Sequence, residues 1–303
     1  MQNIDTLNEQ FGITGQLQFI EDSGFVMVDI NNKHAKARIS TYAGQVISYQ
    51  PHTQKNDLIF LSENAVYQTG KAIRGGVPIC WPWFGDDTSG YGRPSHGFMR
   101  NQQWQVMASN VDLDGATTLI LGVSSTDETK AIWPYQFKLV LEIRVGKSLE
   151  LKLTTKNTGN QEFTITQAFH TYFKISDVDQ ITVTGLDGKK YLDKLEGFSE
   201  NLQLGDVTVS EEIDRVFQAV DNDVSLIDKG FEREVNFSVT GCTTTVIWNP
   251  WTTVSSRMTD LDNDDYRRFL CIETANAAKD NVTIQAASEH TLAVSYTISS
   301  LLS

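Results

Sequence analysis

From Phe137 to Val145 the chain alternates, with Phe137, Leu139, Leu141, Ile143 and Val145 separated by Lys138, Val140, Glu142 and Arg144. A period of two turns one set of side chains inward and the other outward, which is the pattern of a half-buried strand. Gly146-Lys147 follows, and then Leu149, Leu151 and Leu153 alternate with Glu150 and Lys152. The pair predicts a hairpin, and the Gly-x step predicts a type II′ turn. Further alternating or β-branched runs at 25–30, 35–39, 116–123, 162–169, 179–184, 231–239, 242–248, 281–285 and 290–298 predict strands along most of the chain. Helical periodicity is confined to short windows near 127–132 and 262–268. A βαβ architecture is therefore not expected, and so many strands predict an all-β fold of large antiparallel sheets packed face to face.

The chain has 303 residues, a length that one large β-sandwich can absorb. No linker, charge block or fixed repeat divides it, so a single domain over 1–303 is expected. Twenty-five basic against 38 acidic residues give a net charge of −13, which repels nucleic acid and anionic lipid. No apolar run reaches the roughly 20 residues of a membrane helix. Met1 to Glu9 carries acids and no base, unlike a secretory leader, so a cytoplasmic location is expected. Cys80, Cys242 and Cys271 are odd in number and lack zinc-site spacing; they read as reduced and mostly buried.

The segment Ile73–Arg100 departs from the rest, with Pro78, Pro82 and Pro94, six glycines, and Trp81, Trp83, Phe84 and Tyr91. It predicts a long structured loop of the kind that carries function. Other unusual groupings are His96-Gly97-Phe98-Met99-Arg100, Phe169-His170-Thr171-Tyr172-Phe173 and Cys271-Ile272-Glu273. A carboxylate after Phe269-Leu270-Cys271-Ile272 is costly to bury without a partner or a purpose. Each has a structural alternative: His170 as a core histidine, Glu273 in a buried ion pair, Arg74 and Arg100 paired to carboxylates, and His96 bracing its loop.

Taken together, the groupings resemble the hexose-6-phosphate mutarotases, or glucose-6-phosphate 1-epimerases, of the aldose 1-epimerase superfamily. The resemblance rests on Arg74-Gly75-Gly76-Val77-Pro78, Trp81-Pro82-Trp83-Phe84-Gly85, the His96 and His170 groupings, Asp214-Arg215-Val216-Phe217, Trp248-Asn249-Pro250-Trp251 and Asp264 through Glu273. It implies a galactose-mutarotase-like β-supersandwich that interconverts the anomers of an aldohexose 6-phosphate without metal or organic cofactor. Carried over by position, His170 is the catalytic acid and Glu273 the catalytic base. Arg74, Arg100 and Asp214 are substrate-binding residues, and His96 is a pocket donor.

The residue chemistry agrees with the resemblance. Anomer exchange needs a base for the C1 hydroxyl proton and an acid for the ring oxygen, and a carboxylate near ~4.3 with an imidazole near ~6.5 supplies both at neutral pH. In an acidic protein only a local arginine pair attracts a phosphate dianion. Two departures from the family bear on sugar preference: Ser95 stands where some members have glutamine, and Thr274-Ala275-Asn276 replaces a Pro-Gly turn. The other functions compatible with such a chain are an epimerase of free sugars, a non-catalytic carbohydrate-binding sandwich and a glycoside hydrolase or lyase. Hydrolysis ordinarily takes two carboxylates, and here the second group is His170.

Overall fold

The computed structural model describes residues 3–87, 89–221 and 224–301. Two eight-stranded antiparallel sheets dominate it. One, here the site sheet, runs Ser199–Leu202, Lys190–Asp193, Ile213–Phe217, Thr244–Asn249, Phe269–Asn276, Gln167–Phe169 and Ile79–Cys80, with Tyr172–Lys174 also paired to Phe269–Asn276. The other, the backing sheet, runs Ile181–Thr184, Ser225–Asp228, Arg233–Thr240, Glu289–Ser300, Ser148–Asn157, Phe137–Val145, Thr117–Ser124 and Gln105–Val111. A four-stranded sheet, Leu17–Asp22 through Gln45–Pro51, flanks them.

The alternation that opened the sequence reading is the inner face of the backing sheet: Phe137, Leu139, Leu141, Ile143 and Val145 are all buried. Each such side chain contributes about 1.5–3 kcal/mol by leaving water. Their strand pairs with Ser148–Asn157 in the predicted hairpin, Val145 opposite Leu149. The turn differs from expectation, because neither Gly146 nor Lys147 takes a positive φ and a type II′ turn requires one.

Side chains from both large sheets share one core. Phe173 of the site sheet packs on Phe237 and Tyr296 of the backing sheet, with ring centroids 5.1 Å away in each case. The buried Tyr296 hydroxyl meets Thr171 Oγ1 at 2.7 Å, which satisfies two polar groups that would otherwise cost about 1–3 kcal/mol each.

The predicted strand 162–169 is two strands that serve different sheets. Phe163–Ile165 pairs with Val282–Ile284, whereas Gln167–Phe169 joins the site sheet, and between them the Thr166 amide donates to the Pro82 carbonyl. A helix forms at Asp127–Ile132 as predicted, capped by Thr126, but 262–268 holds only a 3-10 turn at Asp265–Arg267. The N-terminal helix Ile4–Phe11 was not predicted.

Candidate active site

The site grows out of the register of the site sheet. Asp214 lies opposite Trp248, Trp248 opposite Cys271, and Cys271 opposite Tyr172, which makes one row across four strands. With a period of two, Glu273 points to the same face as Cys271, while Leu270 and Ile272 enter the core on the other. His170 sits between two short strands; its amide donates to the Pro78 carbonyl, and its ring stacks on Tyr172 at 5.1 Å. Thr171, one residue on, is turned to the core by its bond to Tyr296.

The segment Ile73–Arg100 supplies the other wall. The glycines after Arg74 are required by contact: a Cβ at Gly75 would lie 2.5 Å from the Phe60 carbonyl oxygen, and one at Gly76 2.6 Å from that of Val46. Gln45 Nε2 fixes this turn by donating to the Gly75 carbonyl at 2.6 Å. Arg74 is thereby aimed into a cleft of about 250 Å³ lined with Phe84, His96, Arg100, His170, Tyr172, Lys194, Asp214, Trp248, Met258 and Glu273. All six residues singled out from the sequence, Arg74, His96, Arg100, His170, Asp214 and Glu273, lie in this one cleft.

His170 Nε2 and Glu273 Oε1 are 3.2 Å apart, with the carboxyl almost wholly withdrawn from solvent. Their other polar atoms, His170 Nδ1 and Glu273 Oε2, are buried without a protein partner. Native structures leave few such atoms, and here two of them fall on one contacting pair in a cleft. Burial pushes the proton affinity of His170 well down and that of Glu273 well up; the Asp214 charge raises Glu273 further, against Lys194 and Arg100. The reference values used for the sequence are thus displaced in opposite directions, because desolvation penalises both charged forms.

His96 contacts His170 edge to face, with ring centroids 5.5 Å apart. Its Nδ1 accepts from the Gly85 amide at 3.3 Å, so the neutral ring carries its hydrogen on Nε2. Burial, with Arg100 second, lowers its pKa to about 3, and the ring is neutral at working pH. His96 thus presents only its Nε2–H as a free polar hydrogen.

The two arginines differ. Arg74 Nε bonds Asp260 at 3.1 Å and its Nη1 donates to the Tyr172 hydroxyl at 2.9 Å, so part of its fork is already committed. Arg100 Nη2 donates to the Ser95 carbonyl at 2.8 Å, and its buried Nε has no partner. Ser95 does not line the cleft; its hydroxyl donates to Asp86. Asp214 Oδ2 is held by Lys194 Nζ at 2.6 Å.

Of tryptophans 81, 83, 248 and 251, only Trp248 lines the cleft. Trp81 is core, and Trp83 lies under the Arg93 guanidinium. The sequence reading missed Lys194 and Asp260 and gave Tyr172 no role. Tyr172 stood inside a recognised motif, but nothing near Lys194 or Asp260 in sequence foretells their partners.

This fold with this cleft defines a sugar epimerase class: the chain belongs to the aldose 1-epimerase family, which it matches over residues 26–297. Among individual relatives it is similar to a protein of Escherichia coli (strain K12) named "Putative glucose-6-phosphate 1-epimerase", with 34% identity over 254 residues and 84% of each chain covered. A protein of Cenchrus ciliaris with the same name is 36% identical over 256 residues, covering 80% of this chain and 75% of that one. A solved "putative mutarotase" from Salmonella typhimurium superposes with a TM-score of 0.88 at 30% identity, covering 98% of this chain and 99% of that one. A galactose mutarotase-like protein from Clostridium acetobutylicum shares the fold, with a TM-score of 0.74 at 15% identity and coverage of 94% and 98%. The expected galactose-mutarotase-like architecture is therefore the observed one. No helix among the described residues is long and apolar enough to cross a membrane.

Proposed function

We propose that this chain interconverts the α and β anomers of an aldohexose 6-phosphate, glucose 6-phosphate first among them, by acid–base opening and reclosure of the sugar ring. The observation that carries the reading is the His170–Glu273 pair at 3.2 Å, each with an unpartnered buried atom, inside a cleft that also holds Arg74, Arg100 and Lys194. The names of the relatives, which specify a glucose-6-phosphate 1-epimerase, support the same substrate class.

In the reaction the pair's single proton, which burial favours on Glu273, passes to His170 across the 3.2 Å contact, and the ionised Glu273 takes the proton from the C1 hydroxyl. The C1 carbonyl forms as the bond from C1 to the ring oxygen breaks, and the ring oxygen takes a proton from His170. Rotation about C1–C2 presents the other aldehyde face. Reclosure then runs the transfers in reverse, with His170 as base and Glu273 as acid, so no proton is gained or lost overall. Neutral His96 donates through Nε2 to a sugar oxygen, Asp214 accepts from sugar hydroxyls, and the arginines hold the phosphate. No step calls for a metal or organic cofactor. Residues 1–303 are read as one domain, on the support of the core that both large sheets share, and the cytoplasm is the compartment where sugar phosphates are met.

The test is anomer exchange followed by NMR magnetisation transfer on a panel of phosphorylated and free hexoses. Acceleration of the phosphorylated sugars above the free ones supports the reading. Equal acceleration of both makes the chain a free-sugar epimerase, and none at all makes it a binding protein.

A further inference from the structure

We propose that Lys194 is a phosphate ligand that changes partners when substrate binds, leaving the Asp214 carboxylate for the 6-phosphate and releasing that carboxylate to the sugar hydroxyls. The proposal rests on the sugar-phosphate reading above and deepens it. Two of the three cations of the cleft are already paired to carboxylates, Arg74 to Asp260 and Lys194 to Asp214. A dianion entering such a site gains little unless a cation is freed to meet it.

The three cations differ in how freely they can turn. Arg74 is held from two sides by Asp260 and Tyr172. Arg100 is half-buried and tied to the Ser95 carbonyl of its own loop. Lys194 has one side-chain partner, Asp214 Oδ2, and is 30% exposed against 14% for that aspartate. Its backbone is anchored, since the Lys194 amide donates to the Asp214 carbonyl at 3.0 Å. An anchored root with a flexible four-carbon stem and a rotating ammonium is the arrangement that lets a charge swing without moving the chain. The carboxylate it now neutralises is the group that the sugar needs. A free hexose offers Lys194 nothing in exchange for Asp214, so the swap itself selects for phosphate.

The experiment uses the full chain and two readouts: the ratio of kcat/KM for glucose 6-phosphate to that for glucose, and competitive inhibition by inorganic phosphate. In Lys194→Met the ratio falls about 10- to 100-fold and inhibition by phosphate weakens in parallel, as expected for a lost charge-assisted bond. In Asp214→Asn, where the ammonium is released in advance, phosphate inhibits more tightly than in the parent. That gain disappears in the Lys194→Met/Asp214→Asn double variant. A Lys194→Met enzyme that keeps both ratio and phosphate inhibition, in a parent that discriminates, overturns this inference alone. So does an Asp214→Asn gain that survives without Lys194, or no gain at all. A parent ratio near one overturns the sugar-phosphate reading, and the inference falls with it.

Discussion

Glu273 Oε1 stands 3.2 Å from His170 Nε2, and His170 is held in the two-residue gap between Gln167–Phe169 and Tyr172–Lys174, both of which pair with the strand that carries Glu273. The contact is therefore fixed by the register of the strands on either side of His170. A carboxyl and an imidazole so close, both out of water, titrate as a unit, and in the proposed mechanism the form that opens the ring is the one that carries a single proton between them.

Glu273→Gln keeps the shape of the side chain and His170→Asn keeps a smaller polar group, and each removes the titrating group. Each is expected to lower kcat by ~10² or more, the range of general acid–base contributions. Near-parental turnover in either variant, with an unchanged circular dichroism spectrum, would falsify the assignment.

The pH profile follows from the directions of the two shifts. Burial lowers the proton affinity of His170, so the doubly protonated pair forms only below the ordinary imidazole range; that is the acid limb. Burial and Asp214 raise that of Glu273, so the last proton leaves only above the ordinary carboxylate range; that is the alkaline limb. A broad plateau is expected, measured as kcat/KM on a free hexose so that the phosphate ionisation near ~6 does not intrude. Limbs at the unperturbed ~4.3 and ~6.5 would show two independent, solvated groups instead.

Arg74→Ala and Arg100→Ala each remove donors of a charge-assisted bond worth roughly 1.5–3 kcal/mol. The ratio of kcat/KM for glucose 6-phosphate to glucose is expected to fall on the order of 10- to 100-fold in both. Arg74→Ala also strips Asp260 and the Tyr172 hydroxyl of a partner, so it is expected to cost more thermal stability. Unchanged ratios would return both arginines to structural ion pairing.

Gly97→Ala tests the backbone that presents His96. Gly97 has φ +72°, and a Cβ there would lie 1.9 Å from the Trp81 carbonyl oxygen. The strain of a left-handed alanine is about 1–2 kcal/mol before any clash is counted, so the melting temperature should drop by several degrees. Gly15→Ala, at φ +74° with nothing within 4 Å of its Cβ, is the control and should lose clearly less. Equal losses would mean that the close approach to Trp81 carries no energy.

The strands were legible wherever one face is wet and the other dry, as from Phe137 to Val145. Where both faces are covered, as in Phe269–Asn276, the alternation vanishes, and the chemical oddity of Glu273 was the only signal. The run 162–169 looked like one strand because its β-branched residues continue through a change of sheet. The six candidate residues were found through motifs, but which of them touch was not readable. The row Asp214–Trp248–Cys271–Tyr172 depends on register between strands far apart in the chain, and Lys194 meets Asp214 only because their strands are neighbours. The tilt of the two proton affinities was equally hidden, since it comes from burial that no local sequence encodes.

All eight residues of Phe269–Asn276 are buried, and the strand is flanked by partners on both sides. Its amides belong with the slowest to exchange in the protein, since they open only with the whole sheet. The groups proposed to hold the phosphate lie instead off that strand, Lys194 on a turn and Arg74 and Arg100 in the segment Ile73–Arg100, where a surface-facing side chain can change without altering the strand's register. Divergence can therefore act on the two separately: a descendant that lost Lys194 or Arg100 would change its diet of sugars while inheriting the ring-opening pair intact.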